Sequence, residues 1–279
     1  MKNSLSSSLP PTEQNGPVSA LESLGVGELI GQMHTHSEQA FLAVSECLPQ
    51  VEAFVAALVP RMQQGGRLFY IGAGTSGRLG VVDASECPPT FGVDPEVVQG
   101  WIAGGDGALR VAVEGAEDNA AGAWQDLAVM NPTSLDTLVG IAASGRTPYV
   151  VGGLREARAA GLITACISCN PNSDVERHAD FPMVAITGGE FVTGSTRLNA
   201  GTATKLILNL ISTTAMIQLG HVQGSRMVDM RPSNTKLVER GIRMIQEATG
   251  VSQAIAAASL ESTGSVRDSI NQLSDDAHA

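Results

Sequence analysis

Two short stretches of this 279-residue chain set hydroxyls and glycines where helices should begin. One is Gly72-Ala73-Gly74-Thr75-Ser76-Gly77-Arg78. The other is Ala143-Ser144-Gly145-Arg146-Thr147-Pro148. The first backbone N–H groups of a helix are unpaired and sit at the positive end of its dipole, so they favour an anion such as phosphate. Each loop alone is also what an ordinary Gly/Ser cap looks like; the matched pair is less so. Gly72-x-Gly74-x-x-Gly77 spells the dinucleotide fingerprint, but that reading needs an acid about 20 residues on, at the end of the next strand. That strand ends here in Ala103-Gly104-Gly105, and the nearest acid, Asp106, lies farther along. No nucleotide cofactor is expected.

Carboxylates supply the second chemical signal. In Asp83-Ala84-Ser85-Glu86-Cys87-Pro88-Pro89 a double proline should halt the helix, so Glu86 is expected on an irregular turn near the first loop. A second group, Val113 to Asp118, should lie on a helix from about Ala108, where Glu114 and Glu117 would share a face. Two carboxylates from separate elements beside an anion site can work as acid and base. The same acids also suit a solvated helix surface. Gly194-Ser195-Thr196-Arg197 offers further hydroxyls before a long helix, and a plain N-cap reads the same way. His34 and His36 have no third ligand, and Cys166-x-x-Cys169 has no second pair, so no metal is expected.

These groups need a scaffold, and the hydrophobic pattern predicts one. Strands are expected at 67–72, 97–103, 137–143, 163–168 and 181–187, each running into a loop or helix. Two helices should precede them over 19–65, and a long helix should follow over 198–219. Alternating strands and helices argue for an α/β fold with a doubly wound, mainly parallel sheet. Residues 1–18 read as a loose arm, 19–231 as the sheet domain, and 232–279 as a small helical appendage.

Composition narrows the function classes. Seventeen Lys and Arg against 28 Asp and Glu give a net charge of −11, which disfavours binding to a nucleic-acid backbone. The N-terminus lacks the apolar core of a signal peptide. Leu206 to Leu219, interrupted by Asn209, Ser212, Thr213 and Thr214, is short for a bilayer span. Four cysteines are too few for a disulfide framework in this length. No membrane is expected as a partner, and the cytoplasm is the expected compartment.

At these residues the chain resembles the N-acetylmuramic acid 6-phosphate etherase family. The strings are 70–80 and 83–90, 112–118, 140–150, 167–171, 192–197, 199–205 and 227–229, together spread over about residues 40–250. The resemblance implies the sugar isomerase (SIS) fold, a flavodoxin-like αβα sandwich that binds phosphosugars. It implies cleavage of the D-lactyl ether to give N-acetylglucosamine 6-phosphate and D-lactate, by elimination and then hydration, in bacterial peptidoglycan amino-sugar recycling. It also implies a homodimer with the active site near the subunit interface, and no cofactor.

By the same resemblance, Glu86 assists lactate departure and Glu117 is the second acid/base, with Glu114 in reserve. Thr75, Ser76, Ser144 and Thr147 then hold the phosphate, Gly77 and Gly145 give access to amides, and Ser195 is a further ligand contact. Glu86 as general acid should be partly buried, with a raised pKa. Arg78 and Arg146 would add charge or pair with structural carboxylates. Two departures stand out: the family's Thr-Glu-x-Arg-Asn string reads Thr12-Glu-Gln-Asn-Gly16 here, and the appendage, similar to a ubiquitin-associated-like end, stops at Ala279. The competing readings are a non-catalytic phosphosugar-binding regulator and a phosphosugar isomerase.

Overall fold

The computed structural model describes residues 9–276. Five parallel strands form one sheet: β1 (Leu68–Gly72), β2 (Val98–Ile102), β3 (Thr137–Ile141), β4 (Ile163–Ser168) and β5 (Phe181–Val184). Their order is β2-β1-β3-β4-β5. Chain direction reverses its march across the sheet between β1 and β3, the switch point where open α/β sheets bind ligands beyond their strand ends. The register levels those ends, with Gly72 opposite both Ile102 and Ile141, and Ile141 opposite Ile167.

Strand alternation sorts the core into two layers. Leu68, Tyr70, Val139, Ile141, Ala165 and Ile167 face α2 (Glu38–Gln63), α3 (Gly74–Phe91) and α7 (Asn199–Gln218). Phe69, Ile71, Leu138 and Cys166 face α4 (Gly122–Ala128) and α5 (Pro148–Ala159). This is the αβα sandwich expected from the sequence. Residues 26–63 are long and apolar enough to cross a membrane, a test that core helices also pass. In the fold, α1 (Val26–His36) and α2 divide that stretch, and α2 buries Ala40, Val44, Val51, Phe54 and Leu58 against the sheet domain.

Three local expectations fail for identifiable reasons. Pro88 and Pro89 do not stop α3, which continues to Phe91. Each proline removes one intrahelical donor, but Cys87 and Phe91 bury beneath that turn. Gly92, at φ 71°, ends the helix with its N–H on Pro88 O. The helix expected from Ala108 is absent. In its place are two 3-10 turns, Asp106–Leu109 and Ala116–Asp118, with Gly115 at φ 72°, a conformation that breaks helical repeat. Part of the N-terminal arm is docked rather than loose. Pro11–Glu13 is a 3-10 turn, and Thr12 is wholly buried against Asn170. Residues 1–8 lie outside the described residues.

Beyond Pro232 the chain forms α8 (Thr235–Thr249), α9 (Gln253–Thr263) and α10 (Val266–Asp276). Asn234 and Ser252 cap the first two through their side chains. Met244, Ile245, Ala256, Leu260, Val266 and Ile270 make a separate apolar cluster with Val228 and Met230. Asp229 bolts this unit to the sheet domain, accepting from Arg267 at 2.6 and 3.0 Å and meeting His221 Nδ1 at 2.9 Å.

Candidate active site

Gly72 and Gly77 bring α3 so close to the end of β1 that a Cβ on Gly72 would sit 2.6 Å from the Gly77 nitrogen. That approach sets the N–H groups of Gly74, Thr75 and Ser76 at the sheet's carboxyl end, where the first helical turn leaves them unpaired. Across the switch point, Thr147 is the N-cap of α5, with Pro148 at its first position. Its hydroxyl makes no capping bond, so it stays available to a ligand. Gly145 takes φ 71° and packs its Cα against Ser173, leaving no room for a side chain. The two loops leave the ends of neighbouring strands, β1 and β3.

The second loop is braced from behind. Asn170, 4% exposed, donates through Nδ2 to Ser144 O at 3.1 Å and to Ala143 O at 3.5 Å. The Gly145 N–H closes a turn onto Ala142 O at 2.9 Å, and Ser144 Oγ accepts from the Arg146 N–H at 3.3 Å. The Arg146 side chain itself is exposed.

Ser195 sits in the turn before α7, its N–H on Val192 O at 2.9 Å. The first turn of α7 abuts the first loop: a Cβ on Gly201 would lie 3.5 Å from Thr75 Cγ2 and 3.6 Å from Thr196 O. Glu190, wholly buried, caps this helix by accepting from the Asn199 and Ala200 N–H groups, both at 2.9 Å. Nothing local marks Glu190 in the sequence, since it caps a helix beginning nine residues later.

Glu117 reaches the first loop. It lines a cavity of about 170 Å³ together with Glu114, Gly74, Arg78 and Ala73. Both glutamates are exposed, on a turn rather than a helix face. Arg78 is what holds that segment near α3. Its Nε donates to Leu109 O at 3.0 Å and its Nη2 to Ala108 O at 2.7 Å. Among the described residues it pairs with no carboxylate, and its charge, which neutral carbonyls do not cancel, stays in the cavity that Glu117 lines.

Glu86 lies elsewhere on α3. Ten residues separate it from Ser76, about 15 Å of helix. It is exposed on the protomer, not partly buried as its expected role required. It lines a cavity of about 260 Å³ between α3 and α7, with Asp83, Thr90, Lys205, Asn209 and Ser212 among the lining residues. The buried carboxyl there is Asp83, which accepts from Tyr70 Oη at 3.0 Å and Ser212 Oγ at 3.1 Å. Burial pushes the Asp83 carboxyl above the ordinary carboxylate range, against the pull of those bonds and of Lys205. Oriented to satisfy both ends of its amide, Asn209 donates to Asp83 at 3.3 Å and accepts from Lys205 Nζ at 2.7 Å. Sequence reasoning missed this chain, which only the α3–α7 packing assembles.

Comparison with known proteins follows the same lines. The chain is 52% identical over 258 residues to an N-acetylmuramic acid 6-phosphate etherase of Christiangramia forsetii, covering 92% of this chain and 94% of that one. The chain belongs to the N-acetylmuramic acid 6-phosphate etherase family. A family etherase from Bacteroides fragilis is 50% identical over 260 residues, covering 93% and 92% of the two chains. One from Cronobacter sakazakii is 51% identical over 256 residues, covering 92% and 86%. Residues 50–158 also match the glucokinase regulatory protein N-terminal SIS domain. Among solved structures, a putative phosphosugar isomerase of Bacteroides fragilis superposes with TM-score 0.53 at 18% identity, covering 72% of this chain and 95% of that one. A putative sugar-phosphate isomerase of Listeria monocytogenes gives 0.50 at 13%, covering 72% and 95%. Both place this etherase-family chain in the SIS fold.

Proposed function

We propose that the protein cleaves the D-lactyl ether of N-acetylmuramic acid 6-phosphate, releasing D-lactate and N-acetylglucosamine 6-phosphate in amino-sugar recycling. Etherases half identical over nine-tenths of the chain support the substrate. The observation in this molecule that carries the reading is the cavity joining Gly74 of the phosphate loop to Glu117.

The reaction is a carbon–oxygen lyase step followed by hydration. In the open-chain sugar the C1 aldehyde acidifies the C2 proton, and Glu117 removes it. The electron pair forms the C2–C3 double bond as the C3–O bond breaks. Glu86 gives its proton to the departing lactate oxygen, a poor leaving group without it. Water then adds at C3 while a proton returns to C2. Thr75, Ser76, Ser144 and Thr147, with the free amides at α3, hold the 6-phosphate throughout. Gly77 and Gly145 keep the amides accessible, and Ser195 is a further ligand contact in this reading.

Glu86 lies about 15 Å along α3 from Ser76, well removed from the loop at that helix start. In our reading Glu86 serves a sugar held by the loops of a second copy, and the working unit is a homodimer with the active site at the subunit interface. Phe41 and Leu48 on α2, Val82 on α3 and Ile217 on α7 are large apolar side chains about half exposed, as such an interface requires. Closure by the partner would also supply the burial that a general acid at Glu86 needs. Cys47, Cys87, Cys166 and Cys169 are all buried and unpaired, in keeping with a reducing cytoplasm.

The test is an NMR time course with N-acetylmuramic acid 6-phosphate in deuterated water. Lactate release with deuterium at C2 of the product is expected. In Glu86→Ala, C2 exchange should continue while lactate release stops. The match to a glucokinase regulatory protein domain favours one other reading, a non-catalytic phosphosugar sensor. Binding of the sugar with neither exchange nor lactate would establish that instead.

A further inference from the structure

The lactyl group that distinguishes the substrate from its product ends in a carboxylate. An anion taken out of water without a partner is costly, so the site around Glu86 needs a cation. Among the described residues lining the α3–α7 cavity, Lys205 carries the only positive charge, beside Glu86 and Asp83. Arg78 lines a different cavity, where it holds the Ala108 and Leu109 carbonyls.

Lys205 is also held in place. Its ammonium donates to the Asn209 amide oxygen at 2.7 Å, Asn209 donates to Asp83 at 3.3 Å, and Asp83 is fixed by Tyr70 and Ser212. Tyr70 is wholly buried in β1, so the chain of bonds anchors the cation to the sheet. One of the three ammonium hydrogens is used, which leaves two for a ligand. Lys205 and Asn209 are one helical turn apart on α7, facing Asp83 and Glu86 on α3.

We infer that Lys205 binds the lactyl carboxylate of the substrate and so determines specificity for the ether-bearing sugar. The inference rests on the etherase reading and on Glu86 delivering the proton to the lactate oxygen. That oxygen and the carboxylate share one carbon, so the acid and the cation must lie in the same cavity, as they do. Where a carboxylate arrives beside the exposed ammonium, a charge-assisted bond forms, strengthened as the bound sugar displaces water from the cavity.

The experiment compares Lys205→Met and Lys205→Arg with the wild type on two sugars. With N-acetylmuramic acid 6-phosphate, Lys205→Met should raise KM about 10- to 100-fold, the worth of one hydrogen bond to a charged group. Lys205→Arg should recover much of that loss. With N-acetylglucosamine 6-phosphate, which lacks the lactyl group, C2 deuterium exchange should stay within about twofold of wild type in both variants. An unchanged KM for the ether sugar would overturn the inference. So would an equal loss with both sugars, because Lys205 would then act through the scaffold; near-ultraviolet circular dichroism and the arginine variant separate that from misfolding. A wild type that releases no lactate would sink the etherase reading, a result distinct from either.

Discussion

Thr12 and Asn170, 158 positions apart, hold each other through two reciprocal hydrogen bonds. The Thr12 N–H donates to Asn170 Oδ1 at 3.0 Å, and Asn170 Nδ2 donates to Thr12 Oγ1 at 2.8 Å. Because Nδ2 also donates to Ser144 O, the N-terminal segment braces the second Gly/Ser loop. The contact lies within one chain.

This bracing predicts a binding defect from a distant residue. Thr12→Val leaves the buried Asn170 amide one acceptor short and should cost about 1 kcal/mol of stability. KM for the phosphosugar should rise several-fold with kcat nearly unchanged, and Thr12→Ser should restore both. Thermal unfolding and steady-state kinetics check it; a kcat defect at normal KM would contradict the brace.

Arg78 should matter for turnover rather than for binding. Its two-carbonyl grip positions the segment carrying Glu117. Lysine, a single point charge, cannot reproduce that fork. Arg78→Lys should lower kcat about 10- to 100-fold, as displaced catalytic groups do, with a smaller change in KM.

Subunit mixing tests the shared site. Glu86→Ala and Glu117→Ala are each expected to be inactive. If Glu86 acts on the partner's sugar, each mixed dimer keeps one intact site. Equal mixing with subunit exchange should then restore about a quarter of wild-type activity, since half the dimers are mixed and half their sites intact. Activity absent at every ratio would place Glu86 in its own subunit's site.

Stability should fall in acid through an identified pair. Burial raises the Asp136 carboxyl, but bonds from Arg67 and Thr133 outweigh it and hold the pKa below the ordinary 3.8. Arg67 Nη2 lies 2.8 Å from Asp136 Oδ2. A depressed folded-state pKa means stability fully present above the unfolded value and lost as pH falls through the folded one. Asp229, lowered by Arg267 and His221 against its own burial, acts in the same sense. Arg67→Met should cost about 3 kcal/mol at neutral pH and flatten the loss below about pH 4. Denaturant unfolding from pH 7 to 3 measures both.

Much of this molecule was legible in its residues. The short apolar strand runs, the helices between them and the two Gly/Ser loops are local patterns, and local patterns survive without knowledge of the fold. The glutamate strings were legible for the same reason. Local rules misled where packing outweighed them. Pro88 and Pro89 stay helical because Cys87 and Phe91 bury beneath them. Glu114 and Glu117 are on a turn because Gly115 turns left-handed.

Only the tertiary structure could decide which groups meet. Thr12 with Asn170, Lys205 with Asp83, and Arg78 with the Glu117 segment are pairings across elements, and no period along the chain encodes them. The sequence determined the kinds of chemistry on offer: Gly/Ser loops at helix starts, carboxylates in two strings and a parallel sheet to carry them. Packing determined their geometry, setting Glu117 beside the first loop and Glu86 far along α3. A helix spaces its residues rigidly, so no local adjustment brings Glu86 back to the loop at the start of α3.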